Sequence, residues 1–168
     1  MDEINKVTLQ GWQDWRSRAG TQKDPYARFF MLYVAAIVSQ NTGDNEYKKL
    51  DLFGQYCQEK YEDINKRSSD RIITETIDIA LDDMVQYIQE HRLNIEIQNL
   101  NNNIPAKALK FTIFMDSNNR LQNAISSIYV VRNNLFHGDK PAYGQNDLKV
   151  VILCNSILEA VFPLLLRV

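Results

Sequence analysis

Metal-free phosphate chemistry needs a fixed cation for the phosphate oxygens and a group that exchanges a proton near neutral pH. Arg132, Asn133 and His137 supply such a set close together in the chain. Arginine stays charged at any working pH and can bind two phosphate oxygens at once. Histidine takes a proton from a hydroxyl or gives one to a leaving oxygen. RNA carries its own nucleophile in the 2′-hydroxyl, so one cation and one base suffice for its cleavage, with positioning and charge stabilisation doing most of the work. A metal centre is a poor alternative. The chain has only two histidines and two cysteines, and Cys57 and Cys154 are far apart with no C-x-x-C pair. Asp78 and Asp82 share a helix face, but no histidine or cysteine joins them. No cofactor is expected.

The element that must position this set is a helix over Asn118–His137, opened by Ser117 or Asn118 and closed by Gly138. Leu121, Ala124, Ile125, Ile128, Val131 and Leu135 fall on one apolar stripe, and Arg132 lies within it. A guanidinium there must be paired, or must line a cleft or an interface, because a bare buried charge is costly. Asn133 and His137 are four apart and share the adjoining face. His137 also sits at the negative end of the helix dipole, which favours its protonated form. Tyr129, one turn before Asn133, either stacks a base or packs at the edge. Lys140 in the following turn either adds a phosphate contact or is simply solvated.

The rest of the chain reads as helices around this one. Thr8–Arg18 carries Leu9, Trp12 and Trp15 and ends near Gly20. Asp24-Pro25 is an N-cap followed by proline at the first helical position, and it opens a run to Val38 that is apolar nearly all round. A third helix starts at Asp44 and carries Leu50, Gly54 and Cys57, with Gly54 marking close packing. A fourth spans Asp70–His91, and His91 reads as a solvated helix end. The last runs from Asn146 or Asp147 to Leu166, bent or ended by Pro163. Residues 93–116 break the periodicity and form either a short β-hairpin or an irregular loop. The expected fold is all-α: one up-and-down-like bundle of about five helices, a single domain over residues 1–168.

Composition narrows the field further. At 168 residues, 45% apolar and 24% charged, the chain is ordinary globular material. A net charge of −2 and a pI near 5.7 exclude the broad cationic field that drives non-specific nucleic-acid binding. Any anion site is therefore local. Met1–Gln10 is too polar for a signal peptide, and Val150–Leu166 is interrupted by Asn155, Ser156 and Glu159, short of a membrane span. Cytoplasmic location and no membrane partner are expected, with both cysteines acting as small buried hydrophobes.

The run Ser127-Ile128-Tyr129-Val130-Val131-Arg132-Asn133-Asn134-Leu135-Phe136-His137-Gly138-Asp139-Lys140 closely resembles the signature of HEPN-superfamily domains: arginine, a polar residue, variable residues and histidine, at the end of an inner helix of an all-α bundle. Asp24-Pro25 into Arg28-Phe29-Phe30 is similar to that family's early helix, and Asn146-Asp147-Leu148 with the apolar stretch after it to its closing helix. Firm similarity covers about forty residues, and residues 93–116 have no counterpart.

The resemblance implies a metal-independent endoribonuclease, serving as a toxin or an antiphage defence effector and leaving a 2′,3′-cyclic phosphate on RNA. Arg132 would bind the scissile phosphate, His137 would act as general base or acid, and Asn133 would orient one of them. It also implies a homodimer with the two motifs facing across a composite cleft, which would make the end of the apolar stripe an interface. A nucleotidyltransferase-type or other antitoxin protein is a further implied partner. Two other readings stay open. One is a non-catalytic HEPN dimerisation or regulatory module that keeps the motif as a structural ion-pair site. The other is a helical bundle that recognises a phosphate or nucleotide.

Overall fold

The computed structural model describes residues 3–67, 70–91, 118–136 and 145–166. They form six α-helices, α1 (Glu3–Thr21), α2 (Pro25–Val38), α3 (Glu46–Arg67), α4 (Arg71–His91), α5 (Arg120–Phe136) and α6 (Gln145–Val161), followed by a 3₁₀ turn over Phe162–Leu166. Among the described residues there is no strand, so the all-α bundle stands, with six helices in place of about five. The segment 93–116, expected as a hairpin or loop, lies outside the described residues.

Local chemistry explains the helix ends. The Asp24 carboxylate accepts from the backbone N–H groups of Tyr26 and Ala27, both at 3.3 Å, and Pro25 follows it as the first helical residue. Helix α3 opens at Glu46, two residues after the expected Asp44. Asn45 is the side chain that caps it, accepting from Lys48 N–H at 2.9 Å. Asp70 takes a left-handed conformation (φ 56°) in the link before α4, where a short polar side chain is tolerated. Pro163 falls in the closing 3₁₀ turn, where its missing N–H ends the regular α-helix.

The most extensive contacts are between α1 and α2, α3 and α5, α2 and α6, and α4 and α6. All six helices contribute to one buried cluster. Its aromatic centre is Phe162, stacked on Trp12 with ring centroids 5.5 Å apart and in contact with Phe53 at 5.8 Å. Cys57 and Cys154 are buried and free, and burial pushes both thiols well above their ordinary range. Asp78 accepts from the Tyr61 hydroxyl at 2.7 Å, while Asp82 pairs with Arg120, so the two carboxylates serve different neighbours. Among the described residues one run, Asp147–Leu166, has the length and apolar composition to cross a membrane, because counting from Asp147 and through the 3₁₀ turn reaches 20 residues. Most of that run is buried inside the bundle as its core helix.

Two contacts fix α5 against α3. Gly54 lies so close that a Cβ there would meet the Gln122 carbonyl oxygen at 3.2 Å and its Cα at 3.4 Å. One turn on, the buried Gln58 side chain reaches the start of α5. Its Oε1 accepts from the backbone N–H groups of Leu121 (3.0 Å) and Gln122 (3.3 Å), and its Nε2 donates to the Asn118 carbonyl at 3.3 Å. A side chain from another helix thus satisfies amides that α5 leaves open at its own start. The helix that carries Arg132 is thereby held in register at its far end.

Candidate functional site

Helix α5 buries Leu121, Ala124, Ile125, Ile128 and Val131, the stripe expected from its periodicity, with Leu135 partly buried at its end. Val130 is buried too, off that stripe, because α5 packs against both α3 and α6. Arg132 lies in the last turns. Its side chain keeps 27% of its exposure, so the guanidinium stands at the rim of the core rather than within it.

Three elements converge on that guanidinium. Its Nη1 donates to Asn133 Oδ1 at 3.0 Å, a contact within α5. Its Nη2 lies 3.3 Å from Oε1 of Glu46, the first residue of α3. Its carbon sits 6.0 Å from the ring centroid of Tyr33 on α2, within range of a cation–π contact. The Tyr33 hydroxyl is buried beside this pair; its polar neighbour is the Glu46 carboxylate, to which it makes no well-shaped hydrogen bond. Burial, reinforced by Glu46 and opposed by Arg132, holds the Tyr33 phenol well above its ordinary range, so it stays a neutral donor.

A polar seam continues from this point along α3 and α5. Tyr129 meets Tyr47 edge-on, with centroids 5.3 Å apart and planes at 68°, so its ring packs at the edge of the bundle. Asp51 accepts from Gln55 Nε2 at 3.0 Å, Gln122 Nε2 at 3.2 Å and Ser126 Oγ at 3.2 Å. Burial first, then the charge of Asp51, raises the Tyr47 phenol. Asp51 is well satisfied by these donors and braces α3 against α5.

The sequence-derived site residues therefore fall into two groups. Arg132, Asn133 and Tyr129 lie on one end of α5, with Arg132 and Asn133 hydrogen-bonded to each other. His137 and Lys140 lie outside the described residues. Sequence reading missed Glu46 and Tyr33. Glu46 carries no local signal, since its pairing with Arg132 is long-range. Tyr33 was visible only as one aromatic in an apolar run, although a hydroxyl on such a fully buried face signals a polar neighbour. Among the described residues no group of three histidine, cysteine or carboxylate side chains is gathered as a metal site. The arrangement offers a partly exposed cation and an amide at the rim with a buried neutral phenol behind them, a set able to recognise a phosphate once Glu46 gives way. No family model, curated protein or solved structure matches this chain.

Proposed function

We propose that the chain is a metal-independent endoribonuclease of HEPN type, acting as a toxin or a defence effector. The observation that supports this reading best is Arg132 itself. It emerges at the end of an inner helix, partly exposed, with its guanidinium steered by the Asn133 amide at 3.0 Å. In the proposed reaction Arg132 binds the scissile phosphate, and His137 removes the proton from the 2′-hydroxyl or protonates the departing 5′-oxygen. The 2′-oxygen bonds to phosphorus as the bond to the 5′-oxygen breaks, leaving a 2′,3′-cyclic phosphate and a 5′-hydroxyl. Two copies would pair with their Arg132 ends facing, and a nucleotidyltransferase-type or other antitoxin partner would restrain them.

The Glu46–Arg132 ion pair favours a second reading, a non-catalytic HEPN module in which Arg132 is a structural bridge between α3 and α5. One experiment separates the two. Purified protein should cut single-stranded RNA in the presence of EDTA, and Arg132→Ala and His137→Ala should each lose at least a hundredfold in rate. Activity that disappears on chelation contradicts the metal-free mechanism. Equal cleavage by wild type and His137→Ala contradicts the assigned site, and no cleavage by the wild type favours the module.

A further inference from the structure

Glu46 holds Arg132 in an unusual way for an ion pair at the edge of a core. The Nη2–Oε1 separation of 3.3 Å exceeds the 2.7–2.9 Å of a tight charge-assisted hydrogen bond, and both side chains are partly open to solvent, at 27% and 36%. The buried Tyr33 hydroxyl lies against the same Glu46 carboxylate without forming a well-shaped hydrogen bond to it. A buried donor left unsatisfied is a standing cost that a better-placed acceptor would remove. A carboxylate with two oxygens on a side chain anchored at Glu46 does not reach both donors well. A phosphodiester holds its two charged oxygens tetrahedrally and is not fixed to the α3 backbone, so one oxygen can take the guanidinium and the other the hydroxyl.

Resting on the ribonuclease reading above, we infer that Glu46 is a resident stand-in for the substrate phosphate: it neutralises Arg132 in the free chain, and the incoming phosphodiester displaces it and accepts from the Tyr33 hydroxyl. The exchange is structurally cheap. Glu46 is the first residue of α3, so its carboxylate can turn toward solvent and still lie at the positive end of that helix. The backbone need not move, because Asn45 holds the first turn through Lys48 N–H. The consequence is selectivity. A weakly bound anion fails to displace Glu46, while a phosphodiester with further contacts along the chain succeeds.

The test uses fluorescence anisotropy with a labelled, mixed-sequence 2′-O-methyl oligoribonucleotide, which offers phosphodiesters but cannot be cut through a 2′-hydroxyl. At fixed ionic strength Glu46→Gln should bind about fivefold tighter than wild type, the size of a partly exposed ion pair. Tyr33→Phe should bind about fivefold weaker with the bundle intact. In an Arg132→Ala background the Glu46→Gln gain should vanish, and Glu75→Gln, removing an exposed α4 carboxylate elsewhere, should change little. Should Glu46→Gln fail to fold, Glu46→Asp keeps the charge at the start of α3 but withdraws it from Arg132, and should give the same gain. Unchanged or weaker binding by the folded Glu46 variant, while Arg132→Ala abolishes binding, overturns the inference and leaves the ribonuclease reading intact. Tyr33→Phe binding as tightly as wild type overturns the role of the hydroxyl. Absence of any Arg132-dependent binding overturns the ribonuclease reading and this inference with it.

Discussion

Tyr33 is the residue at which stability and chemistry pull apart. Its ring is packed as tightly as any in the core, yet its hydroxyl makes no well-shaped hydrogen bond, with only the Glu46 carboxylate as polar neighbour among the groups that act on it as acceptors. Tyr33→Phe keeps the ring and removes only the unsatisfied group, so urea unfolding should show stability unchanged or up to about 1 kcal/mol higher. A loss of more than about 1 kcal/mol would mean that the hydroxyl is bonded in the native chain. This residue also marks a limit on what the sequence discloses. The spacing Arg132, Asn133, His137 is local and could be read directly, because it lies within six residues of the sequence. Glu46 and Tyr33 are distant in the chain and reach Arg132 only through the packing of three helices. The demand that a guanidinium on an apolar stripe be paired was legible; the identity of its partner was not.

At the scale of the helices, the caps were the most legible features. Asp24-Pro25 opens α2 as its residue types require, and Pro163 stands where the last helix tightens into a 3₁₀ turn. These signals act through neighbouring backbone groups and need no knowledge of the fold. The pairing of α3 with α5 is different in kind, since it depends on Gly54 meeting the backbone of Gln122 and on Gln58 reaching across to the start of α5. Two glycine substitutions separate propensity from packing. Gly20→Ala, with nothing within 4 Å of the new Cβ, should stabilise α1 by about 0.5–1 kcal/mol. Gly54→Ala gains the same propensity but pushes a methyl group against the Gln122 carbonyl, and should destabilise by about 1–2 kcal/mol net. Thermal melts of the two variants moving in the same direction would contradict the close approach of α3 and α5.

For the whole molecule, three buried groups set the alkaline limit. Burial keeps the thiols of Cys57 and Cys154 and the phenol of Tyr33 protonated far above their ordinary ranges. Unfolding frees the thiols to ionise near pH 9.0 and the phenol near 10.0. Above those values the native chain holds protons that the unfolded chain has lost, so stability falls as pH rises. Below about pH 8 the groups are protonated in both states and contribute no slope. Unfolding free energies from urea titrations should therefore fall from about pH 9 upward, by on the order of 1 kcal/mol per group per pH unit. A flat profile to pH 11 would contradict their burial. In the same acidic molecule Arg132 is a local cation at one rim, and the ribonuclease reading depends on what that rim does to RNA. Mass spectrometry of the ends left on a mixed-sequence RNA, incubated with the wild-type chain in EDTA, tests this most directly. The expected products carry 2′,3′-cyclic phosphate and 5′-hydroxyl ends, which are absent with Arg132→Ala. Uncut RNA, or fragments ending in 5′-phosphate, would contradict the ribonuclease reading.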